Sequence, residues 1–231
     1  MLKNILKQKL LLITRALLFV LFIVILILVK AVDEKTIGDS QSLVGLGSIN
    51  ESVFNKLGKN ENLSKVTDVI FGLSFGVVAF MACLGLYRLV KEKKLDLTLV
   101  ILGAFYVLLA VTYLVFEIIH INYAPLLKNG EPKDSFPSSH VFISVFILLS
   151  AIIVTNINIK KPVIRYTLIG IAVLLSVLMV VFRLLSGWHW FSDILAGEAL
   201  ALFYVLLYTL IIASLEKKTI KIGKKNEEEL H

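Results

Sequence analysis

The chain of 231 residues is 58% hydrophobic and has a mean hydropathy of +0.87, whereas soluble domains are about 45–50% apolar. This composition excludes an ordinary soluble globule and a disordered chain. The single cysteine, Cys83, excludes an intramolecular disulfide framework and a cysteine-based zinc cluster. The net charge of +7 does not indicate a nucleic-acid partner, because most basic residues flank apolar runs, where they act as signals of membrane topology.

A membrane-spanning helix needs about 20 mostly apolar residues, and six segments come close to this length. They are residues 10–29, 69–87, 97–116, 141–159, 166–182 and 194–215. The first segment is longer than the apolar region of a typical signal peptide and lacks a cleavage site, so we expect it to remain as a membrane helix. The sequence therefore predicts an all-α protein built as a bundle of six transmembrane helices.

The distribution of lysine and arginine predicts the orientation of this bundle. With the N-terminus in the cytoplasm, sixteen of the 24 basic residues lie on the inner side. Both termini are then cytoplasmic, and the segments 33–68, 117–140 and 183–193 face outside. We expect residues 1–215 to form a single membrane-embedded domain in the plasma membrane, with 216–231 as a charged cytoplasmic tail.

The 33–65 stretch is a long connection on the outer side. Apolar residues at positions 49, 53, 54 and 57 have helical spacing, which predicts a short interfacial helix in this loop. Connections of this length often cover a functional site, but a solvated connector fits the sequence equally well.

The run from Phe136 to His140 precedes the fourth span and is typical of a helix start, because Ser138 or Ser139 can cap free N–H groups after Pro137. The N–H groups and the dipole of a helix N-terminus favour an anion. A histidine in that first turn is carried to the same anion. The alternative is a capped helix with an interfacial histidine, and the short run by itself does not decide between the two.

A second polar group joins the fifth and sixth spans, where Arg183, His189 and Asp193 follow one another. Arginine can bind a phosphate through two parallel hydrogen bonds. A carboxylate that bonds one nitrogen of a histidine ring leaves the other nitrogen basic, which makes the ring a nucleophile or a base. Trp188 and Trp190 in the same turn are expected to lie in the interfacial aromatic belt.

The two groups are separated by one span, an inner loop and another span, so they return to the same face. Two histidines, an arginine, an aspartate and a helix N-terminus can therefore converge on one anion. The sequence offers no acidic cluster there, and its histidines lack the tight spacing of metal ligands. This pattern predicts phosphoryl transfer without a metal or another cofactor.

These residues resemble motifs of the type 2 phosphatidic acid phosphatase superfamily, which includes bacterial acid phosphatases and vanadium haloperoxidases. The family motif P-S-G-H is similar to residues 137–140, and the motif S-R-x5-H-x3-D is similar to Arg183, His189 and Asp193, with Phe182 at the serine position. The six-span layout also resembles the integral membrane lipid phosphatases of this family.

The first family motif, K-x6-R-P, is similar only in part to the segment that ends at Pro125. Glu117 stands at the position of the lysine, and Ala124 stands at the position of the arginine. Lys128 and Lys133 lie a few residues further on. We expect them to supply positive charge, although as flexible point charges rather than as a rigid fork.

The resemblance implies a role for each matching residue. His189 attacks phosphorus to form a phospho-histidine, Asp193 orients His189, and His140 protonates the leaving oxygen and then activates water. The expected phosphate-binding residues are Arg183, Ser138, Ser139, Lys128 and Lys133, with the backbone N–H groups near Ser139 and His140.

The implied activity is metal-independent hydrolysis of a lipid phosphate or diphosphate monoester at the outer face of the membrane. The implied substrate classes are undecaprenyl diphosphate, phosphatidylglycerophosphate and phosphatidic acid. The partners are then a lipid phosphate and the bilayer, without nucleic acid, and the sequence does not predict an oligomeric state.

Two alternatives stay open. A non-catalytic relative that binds a lipid headgroup or a protein is favoured by Glu117 and Ala124, and a lipid phosphotransferase would carry the same motifs. Among the other polar residues, His120 is expected to be interfacial. Glu198 either bonds within the bundle or supports the site.

Overall fold

The structure is a computed structural model that describes residues 2–228, without the side chains of residues 2–12, 15 and 216–228. This described part contains seven helices and one antiparallel pair of short strands. In chain order they are α1 (Leu2–Ala31), β1 (Lys35–Ile37), β2 (Ser42–Val44), α2 (Gly47–Leu57), α3 (Glu61–Lys91), α4 (Leu97–Ile118), α5 (Ser139–Asn158), α6 (Pro162–Leu185) and α7 (Phe191–Glu228).

Five helices in the described residues are long and apolar enough to cross a membrane, namely α3, α4, α5, α6 and the Phe191–Leu215 part of α7. They identify a multi-pass membrane protein. In α1 the described apolar stretch, Ala16–Ala31, is shorter, so the sixth span stays a prediction. Helix α7 continues through part of the predicted tail to Glu228, while residues 229–231 of that tail lie outside the described residues.

Helix α5 is the centre of the bundle and contacts α3, α4, α6 and α7. The ring of Phe146 on α5 stacks on Phe105 of α4, with centroids 5.7 Å apart, and lies edge-on to Tyr204 of α7 at 6.3 Å. Helix α1 packs against α7. Because α5 is fixed on several sides, its N-terminal residues have a defined position at one end of the bundle.

Local capping explains where several helices begin. The side chain of Asn60 accepts hydrogen bonds from the N–H groups of Asn62 and Leu63, at 3.0 and 3.2 Å, and thereby caps α3. Asp96 caps α4 in the same way and forms an ion pair with Arg88. Because Asn60 caps the helix, α3 begins two turns before the predicted span at residue 69. These added turns carry polar side chains.

The outer connection differs from the predicted loop with a single short helix. The chain is mostly helical, as predicted, and it also contains an antiparallel pair of short strands that was not predicted, in which Lys35 lies opposite Val44. A helix is present at Gly47–Leu57, in the part of the loop where the apolar spacing predicts one. Its position at the membrane interface stays a prediction.

Residues 33–58, which we call the cap, are docked on the bundle rather than free in solvent. A Cβ atom on Gly45 would lie 1.7 Å from the carbonyl oxygen of Val29. Only glycine at position 45 therefore allows the cap to approach α1 this closely. Ile37, Val44 and Phe54 pack around Trp190, whose side chain is 2% exposed. Trp190 therefore belongs to this small core, and the prediction that places it in an aromatic belt is wrong.

Candidate active site

The two polar groups meet where α5 and α7 begin side by side. The N–H group of Ser138, just before α5, donates a hydrogen bond to the carbonyl oxygen of Asp193 at 3.0 Å. A Cβ atom on Gly197 of α7 would lie 2.8 Å from the carbonyl oxygen of Ser138, so glycine is required for this close approach. The crossing of these two helix starts brings residues about 50 positions apart to one place.

A cavity of about 210 Å³ opens at this end of the bundle. Six of the predicted site residues line it: Lys128, Lys133, Ser139, His140, Arg183 and His189. Glu117 and Ala124, which stand at the lysine and arginine positions of the partly similar motif K-x6-R-P, line the same cavity. The structure thus gathers most of the predicted site in a single space.

His189 lies in the turn between α6 and α7, and its ring is held by the backbone. Its Nδ1 atom is 3.0 Å from the carbonyl oxygen of Ser135 and 3.8 Å from Oδ2 of Asp193. Because a carbonyl oxygen only accepts hydrogen bonds, we assign the proton to Nδ1 and the lone pair to Nε2. Nε2 accepts a hydrogen bond from Nη2 of Arg183, at 3.3 Å.

The electrostatic surroundings of His189 favour the neutral ring. Burial lowers the pKa of His189 below its ordinary value, and the positive charge of Arg183 acts in the same direction, while Asp193 opposes both. A neutral imidazole with its lone pair on Nε2 is the nucleophilic form of the side chain.

Asp193 is fully buried in the first turn of α7. Its Oδ2 atom accepts a hydrogen bond from the N–H group of Trp190 at 3.0 Å, and its Oδ1 atom accepts one from the amide of Asn122 at 3.4 Å. These contacts fix a carboxylate close to the His189 ring. Such a charge stabilises the ring when it becomes positive.

Helix α3 contributes contacts to the other two key side chains. Nε2 of His140 lies 3.1 Å from Oδ1 of Asp68, and its ring stacks on Phe71 with centroids 4.3 Å apart. Arg183 is 7% exposed, and its Nη1 atom donates to the hydroxyl of Thr67 at 3.2 Å and lies 3.8 Å from Asp68.

The segment between α4 and α5 folds back on itself as an irregular hairpin. Tyr123 forms an antiparallel bridge with Asp134, and the N–H group of Ala124 donates to the carbonyl oxygen of Lys133 at 2.8 Å. Lys133 is therefore the cross-strand neighbour of Ala124, and the Cβ atoms of such pairs are about 4.5–5.5 Å apart. The hairpin therefore offers a cation beside Ala124.

Some predicted residues lie elsewhere. Ser138 is fully buried, does not line the cavity, and its hydroxyl has no hydrogen-bond partner within the described residues. His120 is an exposed residue whose Nδ1 atom is 2.8 Å from Oδ2 of Asp134. Glu198 is half-buried in α7 and does not line the cavity.

No motif in the sequence indicated Thr67, Asp68 or Asp134, although the structure brings all three to the site. One signal was present: Asp68 is an ionisable residue directly before the predicted span at residue 69, on the predicted outer face. In the described part of the chain, no group of three His, Cys, Asp or Glu residues is placed to hold a metal ion.

An apolar groove of about 400 Å³ continues from the cavity into the bundle. It shares Tyr113, Lys133, Ser139 and His140 with the cavity. The rest of its wall is apolar and comes from α3, α4 and α5, for example Phe75, Ala110 and Ile143. A polar cavity therefore opens directly onto a hydrophobic surface within the membrane-spanning helices.

Comparison with known proteins agrees with this geometry. The family model of the PAP2 superfamily matches residues 115–217, which include the hairpin, α5, α6 and the His189 turn. This part of the chain is similar to the PAP2 superfamily. The match supports a phosphatase-like lipid enzyme.

A solved structure of similar fold is that of a transmembrane PAP2 type phosphatidylglycerolphosphate phosphatase from Bacillus subtilis. The two chains are 19% identical, with a TM-score of 0.61, over 87% of this chain and 96% of the other. This likeness shows a shared fold. The chain matches none of the curated proteins with which it was compared.

Proposed function

We propose that this protein is a metal-independent membrane phosphatase that hydrolyses lipid phosphate or diphosphate monoesters through a phospho-histidine. The observation that carries the proposal is the Nε2 atom of His189, which has a lone pair and lies 3.3 Å from the guanidinium group of Arg183. A nucleophile and a cation that binds phosphate therefore face the same cavity, which His140 also lines.

In the first half of the reaction, Nε2 of His189 attacks phosphorus and the bond from phosphorus to the lipid oxygen breaks. His140 gives its proton to that leaving oxygen. The N–P bond makes the His189 ring positive, and the buried carboxylate of Asp193 stabilises this charge.

In the second half, His140 takes a proton from a water molecule as the water oxygen attacks phosphorus. The N–P bond breaks, His189 becomes neutral again, and inorganic phosphate leaves. His140 ends the cycle protonated, so the enzyme is ready for another substrate and no further reactant is consumed.

The phosphoryl oxygens are bound by positive charge and by backbone N–H groups. Arg183 supplies a two-pronged donor, and Lys133 supplies a charge beside Ala124. The first N–H groups of α5, near Ser139 and His140, have no partner within the helix and favour an anion. Lys128 adds a further cation at the wall of the cavity.

The substrate that fits this site is a lipid. The apolar groove between α3, α4 and α5 begins at His140 and is large enough to receive part of a hydrocarbon chain. Undecaprenyl diphosphate, phosphatidylglycerophosphate and phosphatidic acid all combine such a chain with a terminal phosphate. With α1 as the sixth span and both termini in the cytoplasm, the cavity lies at the outer face, where the headgroup of an outer-leaflet lipid reaches it.

The test is phosphate release by purified protein in detergent micelles that contain EDTA, with each of the three lipids as substrate. The wild type is expected to release phosphate, and His189→Ala to abolish release. The matched control is His120→Ala, because His120 lies on the same side of the bundle but does not line the cavity. Loss of wild-type activity in EDTA, or full activity of His189→Ala, would contradict the proposal.

A further inference from the structure

One wall of the candidate site comes from α3, outside residues 115–217 that match the PAP2 superfamily. On this wall, Asp68 and Phe71 contact His140, while Thr67 contacts Arg183. The mechanism proposed above uses no residue of α3. The contacts therefore raise the question of what Asp68 does for the two side chains beside it.

The charges around His140 give the first part of the answer. Arg183 of α6, His189 of the following turn, and Lys128 and Lys133 of the hairpin line the same cavity as His140. A general acid must carry a proton, and a positive ring among these basic groups needs a negative partner nearby.

Three carboxylates line the cavity, but their positions differ. Glu117 of α4 and Asp134 of the hairpin line the wall. Oδ2 of Asp134 lies 2.8 Å from Nδ1 of His120 and is therefore already paired. Within the described residues, Asp68 is the carboxylate at hydrogen-bond distance from the His140 ring, at 3.1 Å. Asp68 is thus placed to balance the charge of a protonated His140.

The orientation of the ring gives the second part of the answer. Phe71 lies one turn beyond Asp68 on α3, and its ring stacks on that of His140 at an interplanar angle of 26°. The stack fixes the plane of the imidazole, and the bond to Asp68 fixes its rotation within that plane. The side chain of Asp68 is 59% exposed, so an incoming oxygen atom can replace its carboxylate at Nε2.

We propose that Asp68 is a positioning residue that balances the charge of His140 when its ring carries the catalytic proton and that turns this ring toward the leaving oxygen of the substrate. This inference rests on the proposed function. In the resting enzyme, Nε2–H of His140 donates to Asp68, and the leaving oxygen takes that place when substrate binds. The bond from phosphorus to oxygen then breaks, the proton passes from Nε2 to the oxygen, and the later water molecule returns a proton to Nε2.

The test compares two leaving groups in the variant Asp68→Asn, which keeps the shape of the side chain and removes its charge. Phosphatidic acid releases an alkoxide that needs a proton, whereas 4-nitrophenyl phosphate releases a stable phenolate. We expect kcat for phosphatidic acid to fall about 10- to 100-fold, a part of what general acid catalysis contributes. For 4-nitrophenyl phosphate we expect kcat to change little, and KM to change little for both substrates.

Three further variants make the result specific. Glu61→Gln removes an exposed carboxylate from the first turn of the same helix and should behave as the wild type. Asp68→Glu should recover part of the activity toward phosphatidic acid. His140→Ala should lower kcat for both substrates, because it also slows the attack of water, but it should lower kcat for phosphatidic acid more. Adding Asp68→Asn to it should cause no further loss.

The outcomes separate this inference from the proposed function. An equal fall of kcat for both substrates, no fall for either, or a gain in activity would overturn the role of Asp68 while wild-type phosphatase activity stands. A wild type that releases phosphate from neither substrate would overturn both.

Discussion

Asn50 and Ser192 are joined by two hydrogen bonds although 142 positions separate them. Nδ2 of Asn50 donates to the hydroxyl of Ser192 at 3.0 Å, and the N–H group of Ser192 donates to Oδ1 of Asn50 at 3.1 Å. The same amide also donates to the carbonyl oxygen of Gly45 at 2.9 Å. Since Ser192 directly precedes Asp193, the cap is fastened to the backbone that carries the buried carboxylate.

The first prediction concerns this fastening. Asn50→Ala leaves the N–H group of Ser192 and the carbonyl oxygen of Gly45 buried without their partner, at a cost of about 1–3 kcal/mol. We expect a lower unfolding temperature in detergent and a lower kcat, because the start of α7 loses a support. Asn55→Ala, an exposed site on the same helix, is the control, and equal effects of the two variants would contradict the role of Asn50.

The fold could be predicted where the sequence signal is long and local. Apolar runs of about 20 residues mark the spans, and the polar groups at residues 137–140 and 183–193 lie at fixed positions relative to those runs. The hairpin of β1 and β2 could not be predicted in this way, because each strand has three residues and is held mainly by packing on Trp190. Tertiary contacts decide such short elements.

The candidate site could be predicted only in part, and for a similar reason. Asp68 and His140, which are in contact, are 72 positions apart, so no spacing pattern in the local sequence indicates that they meet. His189 and Asp193 are four residues apart, which is about one turn of a helix, but α7 begins at Phe191, so His189 precedes the helix. Its Nδ1 atom consequently lies closer to Ser135, at 3.0 Å, than to Asp193, at 3.8 Å.

The second prediction is a pH dependence. Burial lowers the pKa of His189 from its ordinary value of 6.5, so the ring stays neutral and nucleophilic below that pH. As the pH falls through the lowered pKa, a proton occupies Nε2 and kcat/KM drops. We therefore expect the acid limb of kcat/KM, measured with 4-nitrophenyl phosphate and corrected for the ionisation of the substrate, to lie below pH 6.5.

The third prediction uses Asp193→Asn in the same measurement. Asp193 opposes the lowering of the His189 pKa, so its removal should move the acid limb to still lower pH. We also expect kcat to fall about 10²- to 10⁴-fold, because the positive ring of the phospho-histidine loses its counter-charge. An acid limb that moves upward in this variant would show that Asp193 does not act on the ring as its geometry indicates.

The fourth prediction concerns the missing arginine. Lys133→Ala should lower kcat/KM about 10- to 100-fold, less than the loss of a rigid donor, because lysine is a flexible point charge. Ala124→Arg in the wild type should change little, since Lys133 already supplies a cation, but it should restore activity when added to Lys133→Ala. Lys56→Ala, at an exposed site on α2 away from the cavity, controls for the change in net charge. If Ala124→Arg fails to restore activity to Lys133→Ala, Lys133 does not take the place of an arginine at position 124.

The fifth prediction concerns the apolar groove. Ala110→Trp should fill part of the space between α3, α4 and α5 and raise KM for long-chain phosphatidic acid, because the hydrocarbon chain is displaced from its wall. Activity toward 4-nitrophenyl phosphate should stay unchanged, since this substrate needs only the cavity. Val111→Trp is the matched control, because Val111 is the next residue of α4, is exposed, and does not line the groove. A loss of activity toward both substrates in Ala110→Trp would mean that the variant distorts α5 and His140. If both tryptophan variants raise KM for phosphatidic acid equally, the hydrocarbon chain of the lipid lies outside this groove.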